Sequence, residues 1–243
     1  MGQDVRQNLA LEGAVVKALL DLIEEELNDD PDEVEFRWLV TVGAYIAVTY
    51  VASLRGNEGF MLDLHALRKW FPEGKDDELS YIVLPLLGRF KGEEGERQHL
   101  FPVVSVTRSG INVRKWIAAL IVVREKEGRV DGPAFCDTEG YVVSSREVDA
   151  KFRDLATTLQ IRRPDLIRPE TDVMAEISIA RSLRRGAQSM AYAYNVSKSD
   201  QDVVNRWQQK ERAKGRDPNR PMRARYADVK LLKPAFLRYT RVL

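Results

Sequence analysis

Ala52-Ser53-Leu54-Arg55-Gly56-Asn57-Glu58-Gly59-Phe60-Met61-Leu62-Asp63-Leu64 is the stretch on which the fold turns. It closes the longest uncharged run in the chain, which extends from Trp38 to Leu54. That run is short for a membrane span of about 20 residues and holds Thr41, Gly43, Thr49 and Ser53, so it reads as a buried core helix over 34–54. Arg55 and Glu58 then sit one helical turn apart, immediately before the apolar Phe60, Met61, Leu62 and Leu64. On a solvated face such an i,i+3 pair stabilises by only about 0.2–0.5 kcal/mol. The apolar run behind Glu58 favours a buried carboxylate that orients Arg55.

Working outward, Leu9, Val15, Val16, Leu19, Leu20, Ile23 and Leu27 recur at helical spacing and predict an amphipathic helix over 5–27. An acidic connector at 28–35 follows. Beyond the central stretch the pattern predicts a helix over 61–71, stopped by Pro72. Two β-like runs over 81–91 and 98–107 flank Gly92-Glu93-Glu94-Gly95, which gives a hairpin. Helices are expected over 112–127, from a Ser144 or Ser145 cap to about 159, over 172–194, over 199–212 and over 226–243. A basic loop containing Gly and Pro lies at 210–225. The expectation is a mainly α chain with a small antiparallel β-sheet. It forms one domain over 1–243, with an N-terminal helix and connector at 1–33, a core at 34–229 and a C-terminal helix at 230–243. No separate N-terminal domain is expected ahead of the core.

The 243 residues carry 44% apolar and 31% charged side chains, the composition of an ordinary globular protein, which excludes disordered and collagen-like classes. A single cysteine, Cys136, excludes a disulfide framework, and His65 and His99 leave little material for a metal site. The net charge of +1 conceals an asymmetry. Residues 151–243 hold 21 of the 38 basic and 10 of the 37 acidic residues, a balance of +11, and residues 1–150 hold the other 17 and 27, a balance of −10. A polyanion-binding face built mainly by the C-terminal part is the expectation. The N-terminus mixes Asp4 and Arg6 among polar residues and has no signal-peptide pattern. A cytoplasmic or nuclear protein, neither secreted nor membrane-bound, is expected.

Three further pieces join the central stretch: Ala180-Arg181-Ser182-Leu183-Arg184-Arg185-Gly186-Ala187, Asn205-Arg206-Trp207-Gln208, and Arg225-Tyr226-Ala227-Asp228-Val229. Their order and spacing resemble the catalytic domain of the tyrosine (phage-integrase-type) recombinases, over about 34–229. The resemblance implies a DNA strand transferase of the recombination, integration or transposition kind. Such an enzyme cleaves and rejoins strands through a 3′-phosphotyrosyl intermediate, without metal or cofactor, on double-stranded DNA and as a tetramer on two duplexes. Alternatives are a catalytically inactive DNA-binding descendant and a type IB topoisomerase-like relaxing enzyme.

The resemblance also assigns roles. Arg55 and Arg184 become the phosphate clamp, chemistry suited to a planar guanidinium fork. Glu58 supports Arg55. Lys91 in the hairpin takes the place of the general acid, with Arg89 and Arg97 as neighbouring competitors. Trp207 stands where many relatives carry histidine, and alternatively fills a core gap with Val203 and Val204. Tyr226 is the preferred nucleophile and Tyr239 the alternative. Arg181 stands where histidine is usual, and a guanidinium cannot act as general base near neutral pH. Arg162, Arg163, Arg168, Arg185, Arg212, Lys214, Arg216, Arg220, Arg223 and Arg225 are candidate DNA-backbone contacts. Gln188 or the segment at 195–199 are candidate base readers.

Overall fold

A computed structural model describes residues 8–71, 80–89, 95–205 and 229–243. Helix α1 (Gly13–Asn28) turns its apolar side, from Val15 to Ile23, onto α2 (Glu33–Val51). Asp32 caps α2 by accepting the Glu35 N–H at 2.9 Å, and every residue from Leu39 to Val51 is buried. By length and apolarity α2 passes as a membrane span, but in this fold it is the core helix that the others surround. Helix α5 (Val113–Lys126), capped by Asn112, crosses it at Gly43, where any Cβ would stand 2.2 Å from the Trp116 ring. Buried Arg124 fastens the crossing by donating to Thr41 Oγ1, the Ala134 carbonyl and Glu127.

After α2 the chain makes a short helix α3 (Gly56–Gly59) and then α4 (Leu64–Trp70), capped by Asp63. The sequence pattern merges the second into a longer helix from Met61. In the structure residues 61–63 instead lie extended along β1 (Tyr81–Gly88): the Asp63 N–H donates to the Pro85 carbonyl and the Leu87 N–H to the Met61 carbonyl. β1 pairs antiparallel with β2 (Arg97–Val104), Leu84 opposite Phe101, as the hairpin reading expects, although both strands stop short of the ranges expected. Gly92, Glu93 and Glu94 of the turn lie outside the described residues.

The helix expected over 172–194 is broken. It is replaced by α7 (Val173–Glu176), an irregular stretch and α8 (Ser182–Ala193). The irregular stretch is held by α6 (Ser145–Arg162): Asp149 accepts the Ile179 N–H and Arg153 donates to the Ile177 carbonyl. These side chains offer the backbone an alternative to continuing the helix. Helix α9 (Lys198–Asn205) is described to Asn205, and the remainder of the expected 199–212 helix lies outside the described residues, as does the basic loop. The last helix, α10 (Val229–Arg241), packs on β2 and α9. Phe236 meets Phe101 edge to face at 5.4 Å, and Thr240 Oγ1 accepts the Val104 N–H. One apolar core runs from Leu11 to Leu243. The fold is mainly α with a two-stranded antiparallel sheet.

Docking of α10 includes a bidentate pair in which Arg238 donates to both oxygens of Asp200, at 2.7 and 2.8 Å. The Arg238 hydrogen bonds hold the Asp200 carboxyl below its ordinary range. A depressed folded-state pKa stabilises the fold above the unfolded value of about 3.9, and that contribution drains away as pH falls through the folded value. Asp200→Asn is therefore expected to lower the urea midpoint at pH 7. Its gap to the parent protein should narrow below about pH 4, and a gap constant with pH would contradict this account.

Candidate phosphate-binding site

The site is assembled where α3, the hairpin and the start of α8 meet. Arg55 precedes α3, and Glu58 folds back on it: Oε2 accepts the Arg55 backbone N–H and Oε1 accepts Nη1, both at 2.8 Å. Glu58 is buried, with 5% of its surface exposed, whereas 45% of the Arg55 side chain is exposed. The carboxylate of the i,i+3 pair is thus buried, as the apolar run behind it suggested, while its arginine stays half-exposed.

Arg184, in the first turn of α8, approaches the same carboxylate from behind, Nη1 lying 3.7 Å from Glu58 Oε2. It is 8% exposed and donates to two main-chain carbonyls, Ser53 at 2.7 Å and Asn205 at 3.0 Å. One carboxylate thus faces two guanidinium groups that come from distant segments of the chain. Gly56 allows the close fit: a Cβ there would stand 2.9 Å from the Ala180 Cα, in the segment that leads into α8.

Arg55, Glu58, Met61, Arg89 and Ala180 line a surface cavity of about 340 Å³. The main-chain bonds between β1 and residues 61–63 bring Arg89 there, because they dock the hairpin beside the segment that follows α3. Arg181 is exposed at the N-cap of α8, next to Ala180, and Arg185 is half-buried one residue beyond Arg184. His65 and His99 do not line the cavity. Among the described residues no His, Cys, Asp and Glu side chains cluster in a way that would hold a metal ion.

Other candidates fall elsewhere. Arg162 pairs with Glu25 at 2.7 Å, Arg163 with Asp165 at 2.8 Å, and Arg168 lies 3.9 Å from Glu170. Arg162 ends α6, whose first turn borders Asn57 and Ala180. A helix of that length separates its ends by about 25 Å, so Arg162 and Arg163 are remote from the Arg55 cavity. Lys91, Trp207, Tyr226, Arg212, Lys214, Arg216, Arg220, Arg223 and Arg225 lie outside the described residues. Tyr239 is fully buried, and its hydroxyl donates to Ser53 Oγ at 3.1 Å. Burial raises its pKa, opposed by hydrogen bonds with Ser53 and Asn205 and by the charge of Arg184. The parts of Ser53 and Asn205 in the site escaped the sequence reading, although both lie inside the quoted motifs. Their contacts are carbonyl-mediated, and spacing of residue types does not reveal those.

The arrangement of elements is similar to that of a solved site-specific recombinase. The pre-cleavage complex of the XerH site-specific recombinase bound to difH substrate aligns over 94% of this chain and 53% of that one, with a TM-score of 0.50 and 11% identity. The chain has a tyrosine recombinase catalytic-domain-like fold. The XerH post-cleavage complex on palindromic difH aligns over 96% of this chain and 53% of that one, with a TM-score of 0.48 and 13% identity. The chain thus spans about half the length of these recombinases. No family model matches it, and neither does any curated protein sequence. The recombinase-like fold alone does not fix the chemistry, which has to be argued from the site.

Glu58→Gln keeps the shape of the bridge and removes its charge. Breaking a fully buried pair costs about 3–5 kcal/mol. Here the expected loss in urea unfolding is smaller, about 1–3 kcal/mol, because Arg55 is half in water and Arg184 retains two carbonyls. A loss under about 0.5 kcal/mol would return the pair to the class of solvated ion pairs.

Proposed function

We propose that the chain is a DNA strand transferase of the tyrosine recombinase kind. The observation that supports this best is the Glu58 carboxylate reaching Arg55 and Arg184, two arginines from distant segments, beside a surface cavity on a recombinase-like fold. In this reading the scissile phosphodiester sits against Arg55, Arg89 and the edge of Arg184. The tyrosyl oxygen of Tyr226 attacks phosphorus and gives up its proton to water, the bond to the 5′ oxygen breaks, and a 3′-phosphotyrosyl link forms. Lys91 delivers the proton that the departing 5′ oxygen needs. Rejoining reverses each transfer. The guanidinium groups stabilise charge on the non-bridging oxygens, where donors held in advance are most effective.

Trp207 adds an N–H donor, and Arg181 at the mouth of α8 contributes charge in place of a proton-shuttling imidazole. Arg185 and the basic residues at 212–225 follow the flanking backbone, supplying affinity and salt dependence. The partner is double-stranded DNA, and four protomers act on two duplexes, which places the protein with DNA in the cytoplasm or nucleus. The exposed Arg181 favours a second reading, a DNA-binding descendant without strand transfer.

A pool of duplexes nicked beside a randomised site tests the proposal directly. The expected result is a covalent protein–DNA band on a denaturing gel, absent with Tyr226→Phe and reduced about 10²–10³-fold with Arg184→Ala. Salt-sensitive binding with no adduct would select the inactive descendant. An adduct that survives Tyr226→Phe would remove Tyr226 as nucleophile, and adducts without strand exchange between duplexes would favour a relaxing enzyme.

A further inference from the structure

We propose that Ser53 is a positioning residue for Arg184 and that the Tyr239 hydroxyl holds Ser53 in that role, which makes the last helix part of the phosphate site. The inference rests on the strand-transfer reading for its effect on rate, and on geometry for the coupling itself.

Ser53 has φ +51°, in the left-handed region. It is the residue just past the end of α2, where the Ser53 N–H donates to the Tyr50 carbonyl and the Leu54 N–H to the Thr49 carbonyl. Glycine is the usual occupant of such a cap, because a Cβ is disfavoured there. The serine at this strained place is explained by its bonds. Its hydroxyl donates to Asn205 Oδ1 at 2.8 Å and accepts from Tyr239, and its carbonyl accepts Arg184 Nη1 at 2.7 Å. An observed outlier of this sort is a pointer to function.

Asn205 mirrors the arrangement. Its carbonyl accepts Arg184 Nη2, while its side-chain amide is fixed by Gln188 Nε2 donating to Oδ1 and by Nδ2 donating to the Gln201 carbonyl. Ser53 and Asn205 therefore hold each other through side chains and hold Arg184 through main-chain carbonyls. Two carbonyls on the two Nη groups fix the plane of the guanidinium, and Glu58 fixes its side. Tyr239 supplies the outermost bond of the chain from α10. Its hydroxyl donates to Ser53 and also meets Asn205 in a fully buried place, which suits it to support and not to attack on phosphorus.

Two variants separate positioning from bulk stability. Tyr239→Phe removes one hydroxyl and keeps the ring. Ser53→Gly combined with Tyr239→Phe also relieves the left-handed serine and leaves no orphaned hydroxyl. A purely structural role would be read in the melting temperature alone. The positioning role has two other readouts. In ¹⁵N spectra of the parent protein, the Arg184 Nη groups are expected to give separate signals from hindered rotation, assigned with Arg184→Lys and merged in the double variant. On the nicked-duplex pool, the variants should form adduct about 10–100-fold more slowly, with duplex affinity within about twofold, and should add nothing in an Arg184→Ala background. Unchanged Arg184 signals would overturn the proposal. So would an unchanged rate, or an adduct lost with Tyr239→Phe but retained with Tyr226→Phe, which would make Tyr239 the nucleophile. If the parent protein forms no adduct, the strand-transfer reading fails, and the Arg184 signals alone decide the coupling.

Discussion

The carboxylate of Glu58 is the junction on which the site depends. Two like charges brought close beside a water-poor wall repel, and without a counter-charge the fold would have to hold Arg55 and Arg184 apart. Glu58 reduces that cost by facing both. Its placement constrains the surrounding chain. Gly56 and Gly59 let α3 press against the Ala180 segment and against Thr49 and Tyr45, and a Cβ at either would meet atoms closer than 3 Å. Residues 61–63 must then lie extended, and in doing so they capture the hairpin that carries Arg89. At Gly186 an added Cβ would stand 1.7 Å from the Leu11 carbonyl, so α8, with Arg184 in its first turn, is seated against the chain entering α1. Core packing and site geometry are in this sense one problem.

The charge asymmetry along the chain is partly spent inside the fold. Lys151 pairs with Glu26 and Arg162 with Glu25, so the basic C-terminal part neutralises some of the acidic front at the α1–α6 boundary. Conversely, the acidic first half supplies Arg55 and Arg89 to the cavity. An interface for DNA would be formed by both halves, and the summed charge of either one overstates its share.

Several elements were legible because their cause is local. The period of α1, the uncharged run of α2, the serine cap before α6 and the hairpin pattern all reflect propensities that tertiary packing reinforces. The Arg55–Glu58 pair was legible through its apolar sequel. Less was legible where long-range bonds overrode the pattern. Helical spacing ran through 172–194, yet Asp149 and Arg153 reach from α6 to break it. The segment at 61–63 was drawn out of helix by β1. The basic residues at 162–168 carry partners that composition does not reveal, Glu25 for Arg162 and Asp165 for Arg163. By its pattern Ser53 reads as one more residue of the core helix over 34–54, whereas its φ is +51°. Its importance comes from a backbone angle and from Asn205 and Tyr239, far along the chain, and no spacing rule connects these three.

The claim that Arg55 and Arg184 act on phosphate charge is tested most directly by removing that charge. A nicked duplex with a neutral methylphosphonate at the cleaved position keeps phosphorus and loses one anionic oxygen. If the arginines work by stabilising that oxygen, Arg184→Ala should lose about 10²–10³-fold on the phosphodiester and little on the methylphosphonate. An equal loss on both substrates would contradict the account and reduce Arg184 to a structural cation of the core.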